Sequence, residues 1–406
     1  RAGNGDHRRA GRTGGDAVMV RLGDICKFQS GGTPSKSNPD YFGGTIPWIT
    51  TIALTGNIIN ETNAVQWITP KAIQETAAKI VPEYSIMVGT RVGVGKIAIN
   101  SVPMSTSQDV VSLINIDSER WDKEYLCKLI LSRNNYLLSQ ARGATIKGIK
   151  IDILAELIIP DVPLSEQRRI AATLDKVDNL ISKRRQQLDK LDELVKARFV
   201  EMFGDPVKNP MKWSVHCFSE YIEFLTSGSR GWAKYFTEQG EYFITIKNVK
   251  NCRITVDNVQ HISPPDNAEA KRTKVQEGDL LISITADLGR TGVISKEIAD
   301  HGAYINQHLT CIRVKKDCLN PVYAAYYLES EAGKSQFQSK NQSAVKAGLN
   351  FNAINSLQLM VPPLTLQNTF VDFVDQTEKT KVTISRSLEK LETLKKALMQ
   401  EYYEVK

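Results

Sequence analysis

The sequence predicts an α+β fold in which two duplicated mixed α/β domains are separated by a long antiparallel two-helix coiled coil. The first observation is a heptad seam after Pro163: Leu174, Val177, Ile181, Leu188, Leu191, Val195 and Met202 alternate spacings of three and four, interrupted by Arg184 and Arg198. The second is that the pattern returns after Pro363, where Val374, Thr377, Lys381, Ile384, Leu388, Leu391, Lys395, Leu398 and Tyr402 hold the same heptad positions. The third is that the segments ahead of the two helices repeat one another in order, with glycine-rich turns joining short β-type runs.

A chain of 406 residues is too long for one compact core, which also argues for two domains. The boundaries read as 1–18 for a disordered basic tail or an expression scar, 19–162 for the first domain and 163–204 for the first coil helix. The second domain then reads as 205–362 and the second coil helix as 363–406. With 41% hydrophobic residues, no run approaches the roughly 18 apolar residues of a membrane span, and no apolar signal core lies near the start. The reading is a cytoplasmic protein. Six cysteines without a paired CxxC spacing and five scattered histidines argue against structural zinc and against a disulfide framework. A net charge of +7 permits an anionic partner without identifying one.

In order along the chain, LGDICKFQSGGTPSKSNPDYFGGTIPWIT from Leu22 is a short amphipathic segment, a polar loop and a β-type run, answered by FSEYIEFLTSGSRGWAKYFTEQGEYFITI from Phe218. AKIVPEYSIMVGTRVGVGKIAI from Ala78 and TKVQEGDLLISITADLGRTGVI from Thr273 each predict two strands around a glycine-rich connection. STSQDVVSLI from Ser105 and YINQHLTCIRV from Tyr304 each predict a polar turn entering a strand. Helices are expected from Asp122 and from Asn320 with Pro321, since an Asx residue can cap and proline suits the first helical position. ATIKGIKIDIL and SAVKAGLNFNAI then precede strands that end at Pro160 and Pro362. Ser165 and Thr365 are candidate caps of the long helices, and Gly204 with Pro206 is the stop after the first. Nine basic and seven acidic residues over 165–202 describe solvated flanks rather than a ligand site. A helix of about 38 residues is roughly 57 Å long, and its apolar stripe must be buried, which makes the second helix its natural partner.

Several motifs suggest chemistry and fail. Gly93-Val94-Gly95-Lys96-Ile97-Ala98 matches a dinucleotide fingerprint, but a strand follows it where the pyrophosphate would need a helix N-terminus. Gly89 to Lys96 misses the Walker spacing and has Ile97 where a magnesium-binding hydroxyl belongs. Asp266, Glu269 and Lys271 are too closely spaced for a nuclease cluster and read as a polar loop. The SPPD string at Ser263 and the VPPL string at Val361 lack the Asn and the aromatic of an adenine methyltransferase loop. No catalytic constellation emerges.

GGTPSKSNPDYFGGTIPWIT at Gly31, TRVGVGKIAI, INQH at Ile305 and the paired PLSEQ and PLTLQ entries to the coils resemble the specificity subunits of type I restriction-modification systems. The resemblance runs from about Met19 to Lys406. It implies two target-recognition domains, each reading one half of a gapped asymmetric site in double-stranded DNA, held apart by the coil. It further implies that methyltransferase subunits dock on the coil and domains and that translocase-nuclease subunits join them. S-adenosylmethionine and ATP would then be bound by those partners, with no cofactor, catalytic residue or metal in this chain.

Candidate DNA-binding residues follow from side-chain chemistry, because Arg and Lys can pair phosphates or guanine edges and Gln or Asn can read adenine. They are Lys36, Arg91, Lys96, Gln108 and Lys147 in the first half, and Lys247, Asn248, Arg290, Gln307 and Lys346 in the second. The charged seam residues Arg184, Arg198, Lys381 and Lys395 are candidates for partner binding or for fixing coil register. Trp48, Tyr41, Trp232 and Tyr235 are possible interface aromatics, with core packing favoured for Trp48. The competing reading is a duplicated coiled-coil adaptor that holds proteins without sequence-specific DNA binding. Salt-dependent affinity separates the two.

Overall fold

The computed structural model describes residues 18–56, 58–143, 147–341 and 348–403. It divides into two compact units, Arg1–Arg184 with Ser387–Lys406, and Arg185–Arg386. Each of the long helices, Leu164–Phe203 and Leu364–Tyr403, runs without interruption, and the boundary between the units falls within both of them.

The core of the first unit is a five-stranded sheet in the order Lys27–Ser30, Val110–Ile114, Ile86–Gly89, Ile97–Asn100, Ile58–Ile59. Ile86–Gly89 and Ile97–Asn100 are buried at every residue and apolar at all but Asn100. Strand alternation sends the two sets of side chains to opposite faces. Ile86, Val88, Ile97 and Ile99 join a core with Tyr125, Leu129 and Leu174, while Met87 and Ala98 join another with Ile49 and Val110. A four-stranded sheet of Gln66–Ile68, Phe42–Ile49, Met104–Thr106 and Ile80–Val81 carries a third cluster around Trp48.

The second unit repeats this plan. Its larger sheet runs Ile222–Ser227, Leu309–Val314, Leu280–Ser283, Thr291–Val293, Cys252–Ile254, Val249–Lys250. Its smaller sheet contains Glu241–Ile244 parallel to Ala303–Ile305, as Phe42–Ile49 is parallel to Met104–Thr106 in the first unit. The repetition extends to single hydrogen bonds. Tyr125 Oη donates to the Pro160 carbonyl and Tyr323 Oη to that of Met360. Gln167, fully buried, accepts from the Asp122 amide at 2.8 Å and donates to the Val162 and Arg120 carbonyls at 2.8 and 3.0 Å. Gln367 does the same with the Asn320 amide and the Pro362 and Cys318 carbonyls.

Within each unit the helix segments are antiparallel. In the first, Lys395 meets Asp178 and Arg169 lies over the Tyr402 ring; in the second, Lys381 meets Asp192 and Phe199 meets Phe370. Leu188, Leu191 and Ile384 on the seam are only half-buried, because a two-stranded coil covers each helix on one side. Toward the helix ends a further apolar set turns to the globular part: Ile170, Ala171, Phe199, Phe203, Phe370 and Tyr403 are buried. Burial at the end of the second helix is deepest at Tyr403, one residue past the heptad position Tyr402.

Asp122 and Asn320 cap their helices as expected, accepting from the amides of Tyr125 and Val322. Gly204, at φ +79°, donates to the Val200 carbonyl and ends the first long helix in the left-handed conformation that glycine tolerates. Ser165 and Thr365 are not the caps. Both helices begin one residue earlier, at Leu164 and Leu364, which places the hydroxyls inside the first turn. Glu269 and Lys271 belong to the short helix Ala268–Thr273 rather than to a loop, capped by Asn267.

Candidate nucleic-acid interface

At one end of the larger sheet of the first unit, the chain leaves Ile86–Gly89, turns through Arg91 to Lys96 and returns as Ile97–Asn100. The turn is closed by two backbone bonds, Gly89 N–H to the Lys96 carbonyl at 2.7 Å and Gly95 N–H to the Gly89 carbonyl at 3.0 Å. At Gly95, φ is +79° and a Cβ would stand 1.7 Å from Asn134 Oδ1, so any other residue would be strained there and would displace the Asn134 side chain. The Thr90 amide donates to the Asp109 carbonyl and the Thr90 carbonyl accepts from Ile149 N–H. These bonds bring three separate segments to one edge.

Between them lies a groove of about 700 Å³ lined by Arg91, Gln108, Gln140, Arg142 and Lys150 among others, with no carboxylate in its lining. Arg91 Nε stands 3.9 Å from Asp109 Oδ1, and the Arg91 side chain remains half exposed. The long contact orients the guanidinium and leaves its other donors free. Three cations and two amides converging on an open groove suit a polyanion whose edges carry hydrogen-bonding groups.

Of the five sequence candidates in this half, the structure brings Arg91 and Gln108 into the groove. Lys36, Lys96 and Lys147 are exposed but are not among its lining residues. Arg142, Lys150 and Gln140 were not legible as partners of Arg91, because the approach depends on the bonds at Thr90 rather than on spacing.

In the second unit the same frame recurs. Ser283 N–H donates to the Arg290 carbonyl, Gly289 N–H to the Ser283 carbonyl, Ile284 N–H to the His308 carbonyl and Leu349 N–H to the Ile284 carbonyl. Thr285 and His308 thereby stand where Arg91 and Asp109 stand in the first unit, and Gln307 where Gln108 stands. Thr285 Oγ1 is 2.7 Å from His308 Nδ1, and Gln307 Nε2 is 3.2 Å from His308 Nε2.

Arg290 is ion-paired with Asp287 and lines a different groove, of about 330 Å³, with Lys250, Asn251 and Lys334. Gln307 is not in that lining, so the two candidates do not share a site. Lys247 is exposed in the turn Ile246–Asn248. Asn248 is a correction: it is 4% exposed, and its Oδ1 accepts from Thr245 N–H and Oγ1 while its Nδ2 donates to the Thr255 carbonyl, so the side chain is buried within its own turn. Lys346 lies outside the described residues.

Trp48 and Trp232 are core residues. Trp48 donates to the Gly32 carbonyl at 3.0 Å, and Trp232 stacks on Phe243 at 5.9 Å. Tyr235 packs edge-on to Trp232, and Tyr41 Oη reaches Glu75. The charged seam residues face the chain's own groups. Lys381 pairs with Asp192 and with Glu378 at 2.8 Å, Lys395 with Asp178 at 2.5 Å, and Arg198 with Glu201 while lying over Phe373. Arg184 is half-buried in the first long helix.

No cluster of three or more His, Cys, Asp or Glu side chains is placed to hold a metal ion among the described residues. Burial pushes the Cys26 and Cys127 thiols up to about 12 and those of Cys252 and Cys311 well above their ordinary value, which keeps them protonated and unreactive. No described helix is long and apolar enough to cross a membrane.

Comparison with known proteins agrees with this picture. The chain matches the type I restriction modification DNA specificity domain twice, over residues 15–192 and 212–395. The MjaIX specificity subunit of Methanocaldococcus jannaschii is 29% identical over 58% of this chain, a match that spans 58% of that relative's length. The MjaVIII specificity subunit of the same organism is 23% identical over 95% of this chain and 91% of its own. A type I restriction-modification S subunit from M. genitalium superposes with a TM-score of 0.57 at 13% identity, covering 98% of this chain and 99% of that one. A chain from a structure on the assembly and conformational transition of a type I system gives 0.59 at 20% identity, covering 96% and 97%. With two family matches that together span most of its length, on two units sharing one hydrogen-bond frame, the chain belongs to the type I restriction modification DNA specificity family.

Proposed function

We propose that this chain is the DNA-recognition subunit of a type I restriction-modification complex, in which each unit reads one half of a gapped asymmetric site. The observation that carries the proposal is the groove of the first unit, where Arg91, Gln108, Arg142 and Lys150 meet without a lining carboxylate. Arg142 and Lys150 supply phosphate contacts, which fix position, while Arg91 and Gln108 address base edges, which carry sequence. One such unit discriminates weakly, since a mismatch costs roughly 1–3 kcal/mol. Two units on one chain multiply their discrimination, the second binding at the effective concentration set by the first.

The chain's own part ends with binding. Methyltransferase subunits dock on the outer face of the coil and on the domains, translocase-nuclease subunits join them, and S-adenosylmethionine and ATP belong to those partners. Docking is proposed for the outer face because Lys381 and Lys395 are already paired with the chain's own carboxylates. A DNA target sets the work in the cytoplasm.

The test is retention of a gapped duplex by the chain copurified with its methyltransferase partner. If the two units together neutralise about six phosphates, affinity falls roughly a thousand-fold between about 50 and 200 mM salt. Equal, weakly salt-dependent binding to every duplex sequence would leave the protein-adaptor reading in its place.

A further inference from the structure

The two units place different side chains at one equivalent point of the frame. Arg91 follows the strand Ile86–Gly89 and Asp109 precedes the neighbouring strand Val110–Ile114. Thr285 and His308 hold the corresponding places beside Leu280–Ser283 and Leu309–Val314. The backbone bond that joins each pair of segments is the same, Thr90 N–H to the Asp109 carbonyl at 2.9 Å and Ile284 N–H to the His308 carbonyl at 3.0 Å. Each pair is also in side-chain contact, at 3.9 Å for Arg91 and Asp109 and at 2.7 Å for Thr285 and His308. A glutamine precedes the second member in both units, Gln108 and Gln307. One socket therefore carries a guanidinium in the first unit and a hydrogen-bonded hydroxyl, imidazole and amide in the second.

The two fillings differ in what they can read. The Arg91 guanidinium is half exposed and lightly held, so its parallel donors suit the O6 and N7 acceptors of guanine. In the second unit both His308 contacts are satisfied when Nδ1 carries the hydrogen, donating to Thr285 Oγ1 and accepting at Nε2 from the Gln307 amide. That uses one Gln307 N–H and leaves the other N–H and the carbonyl oxygen, the pair that matches N7 and N6 of adenine.

Resting on the DNA-recognition reading, we propose that this socket sets one letter of each half-site: guanine in the first half, read by Arg91, and adenine in the second, read by Gln307 with His308 as its positioning residue. Asp109 is the corresponding positioning residue in the first half.

The experiment is selection from a pool of randomised duplexes by the chain in complex with its methyltransferase partner, comparing the unaltered chain with R91K, R91T and H308A, and with H308Q as the conservative variant. R91K keeps the charge and loses the bidentate fork. It should lower the preference for guanine at one position of the first half-site roughly ten- to hundred-fold, with the second half-site and the salt dependence unchanged. R91T should do the same and also flatten the salt dependence slightly. H308A should relax one adenine in the second half-site by a similar factor, and H308Q, which can still accept from Gln307, should restore part of it. A merely structural role would weaken binding to all sequences alike and move no single letter. If the unaltered complex selects a two-part site and the variants select the same letters, this assignment is overturned while the recognition reading stands. If the unaltered complex selects no two-part site, both fall.

Discussion

The two units use one frame and fill it differently. In both, a buried glutamine of the long helix ties the start of a domain helix to the strand end before the coil, and a tyrosine of that domain helix donates to the same strand end. In the second unit the space beside the tyrosine holds four packed rings: Phe199 and Phe203 of the first long helix, Tyr323, and Phe370 of the second, with centroids 4.8 to 5.6 Å apart. In the first unit the corresponding space has one ring pair, Tyr125 and Tyr403 at 5.3 Å, filled out by Leu174, Ile170 and Met399. The tie from domain to coil differs too. Lys128 of the helix Lys123–Ser132 reaches Asp175 in the first unit, whereas Arg253 of a strand reaches Glu378 in the second. Directional hydrogen bonds are common to both units, while packing and charge have diverged. A frame held by backbone and buried-amide bonds can accept new side chains at its groove without losing its shape.

The sharpest way to break that comparison is at the helix ends. Phe203→Ala removes a fully buried ring from the four-ring cluster and should destabilise by about 3–5 kcal/mol. Tyr403→Ala should cost about as much, because its ring is equally buried and the bond from its hydroxyl to the Tyr125 carbonyl is lost. Hydrogen exchange locates the loss: F203A should loosen the sheet of Leu280–Ser283 and Y403A that of Ile86–Gly89. Equal loosening of both sheets by either variant would mean that the units are not separate packing bodies.

A smaller effect probes the shared frame. Gln167→Ala and Gln367→Ala each leave a buried amide N–H and two carbonyls without their side-chain partner. Each should cost on the order of 2–3 kcal/mol, measured by denaturant unfolding, and the two costs should agree within about 1 kcal/mol. The Gln367 bond to Cys318 is longer, at 3.4 Å, so Q367A is expected at the lower end. A neutral Q367A beside a costly Q167A would show that the frame is not shared in energy even though it is shared in geometry.

The coils, the duplication and the strand pairs were legible because they rest on periodicity and on repeated turn residues. Leu174, Val177 and Ile181 announce a seam, and Gly95 and Gly289 mark the turns where a side chain would strike Asn134 or Phe337. The groove was legible only in part. Arg91 and Gln108 stand out in glycine-rich and polar turns, but Arg142 and Lys150 reach the groove through the backbone bond from Ile149 N–H to the Thr90 carbonyl, between segments far apart in sequence, which no local pattern encodes. Asn248 misled because a surface reader and a turn-capping amide look alike in sequence; only its burial separates them. The exchange of Arg91 and Asp109 for Thr285 and His308 becomes visible once hydrogen bonds align the copies, since the intervening loops differ in length.

The weakest effect lies on the seam, where the same kind of residue is used with different strength. Lys381 is mostly covered, its side chain 16% exposed, and it touches two carboxylates, Asp192 and Glu378. Lys395 is more open, at 33%, and pairs with Asp178. Lys381→Met keeps the aliphatic stem that packs on the seam but leaves two carboxylates without their shared cation, so it should cost about 1 kcal/mol near neutral pH. Lys395→Met should cost about half of that or less, in the range of exposed pairs. Because both losses are electrostatic, the gap between the variants should narrow in about 1 M salt, where the screening length falls to roughly 3 Å. Replacing Asp192 by Leu in the K381M background should then recover stability by giving an apolar seam contact in place of the orphaned charge. If K381M is neutral at low salt, the lysine is held by its stem alone, and the seam of the second unit is no more charge-dependent than that of the first.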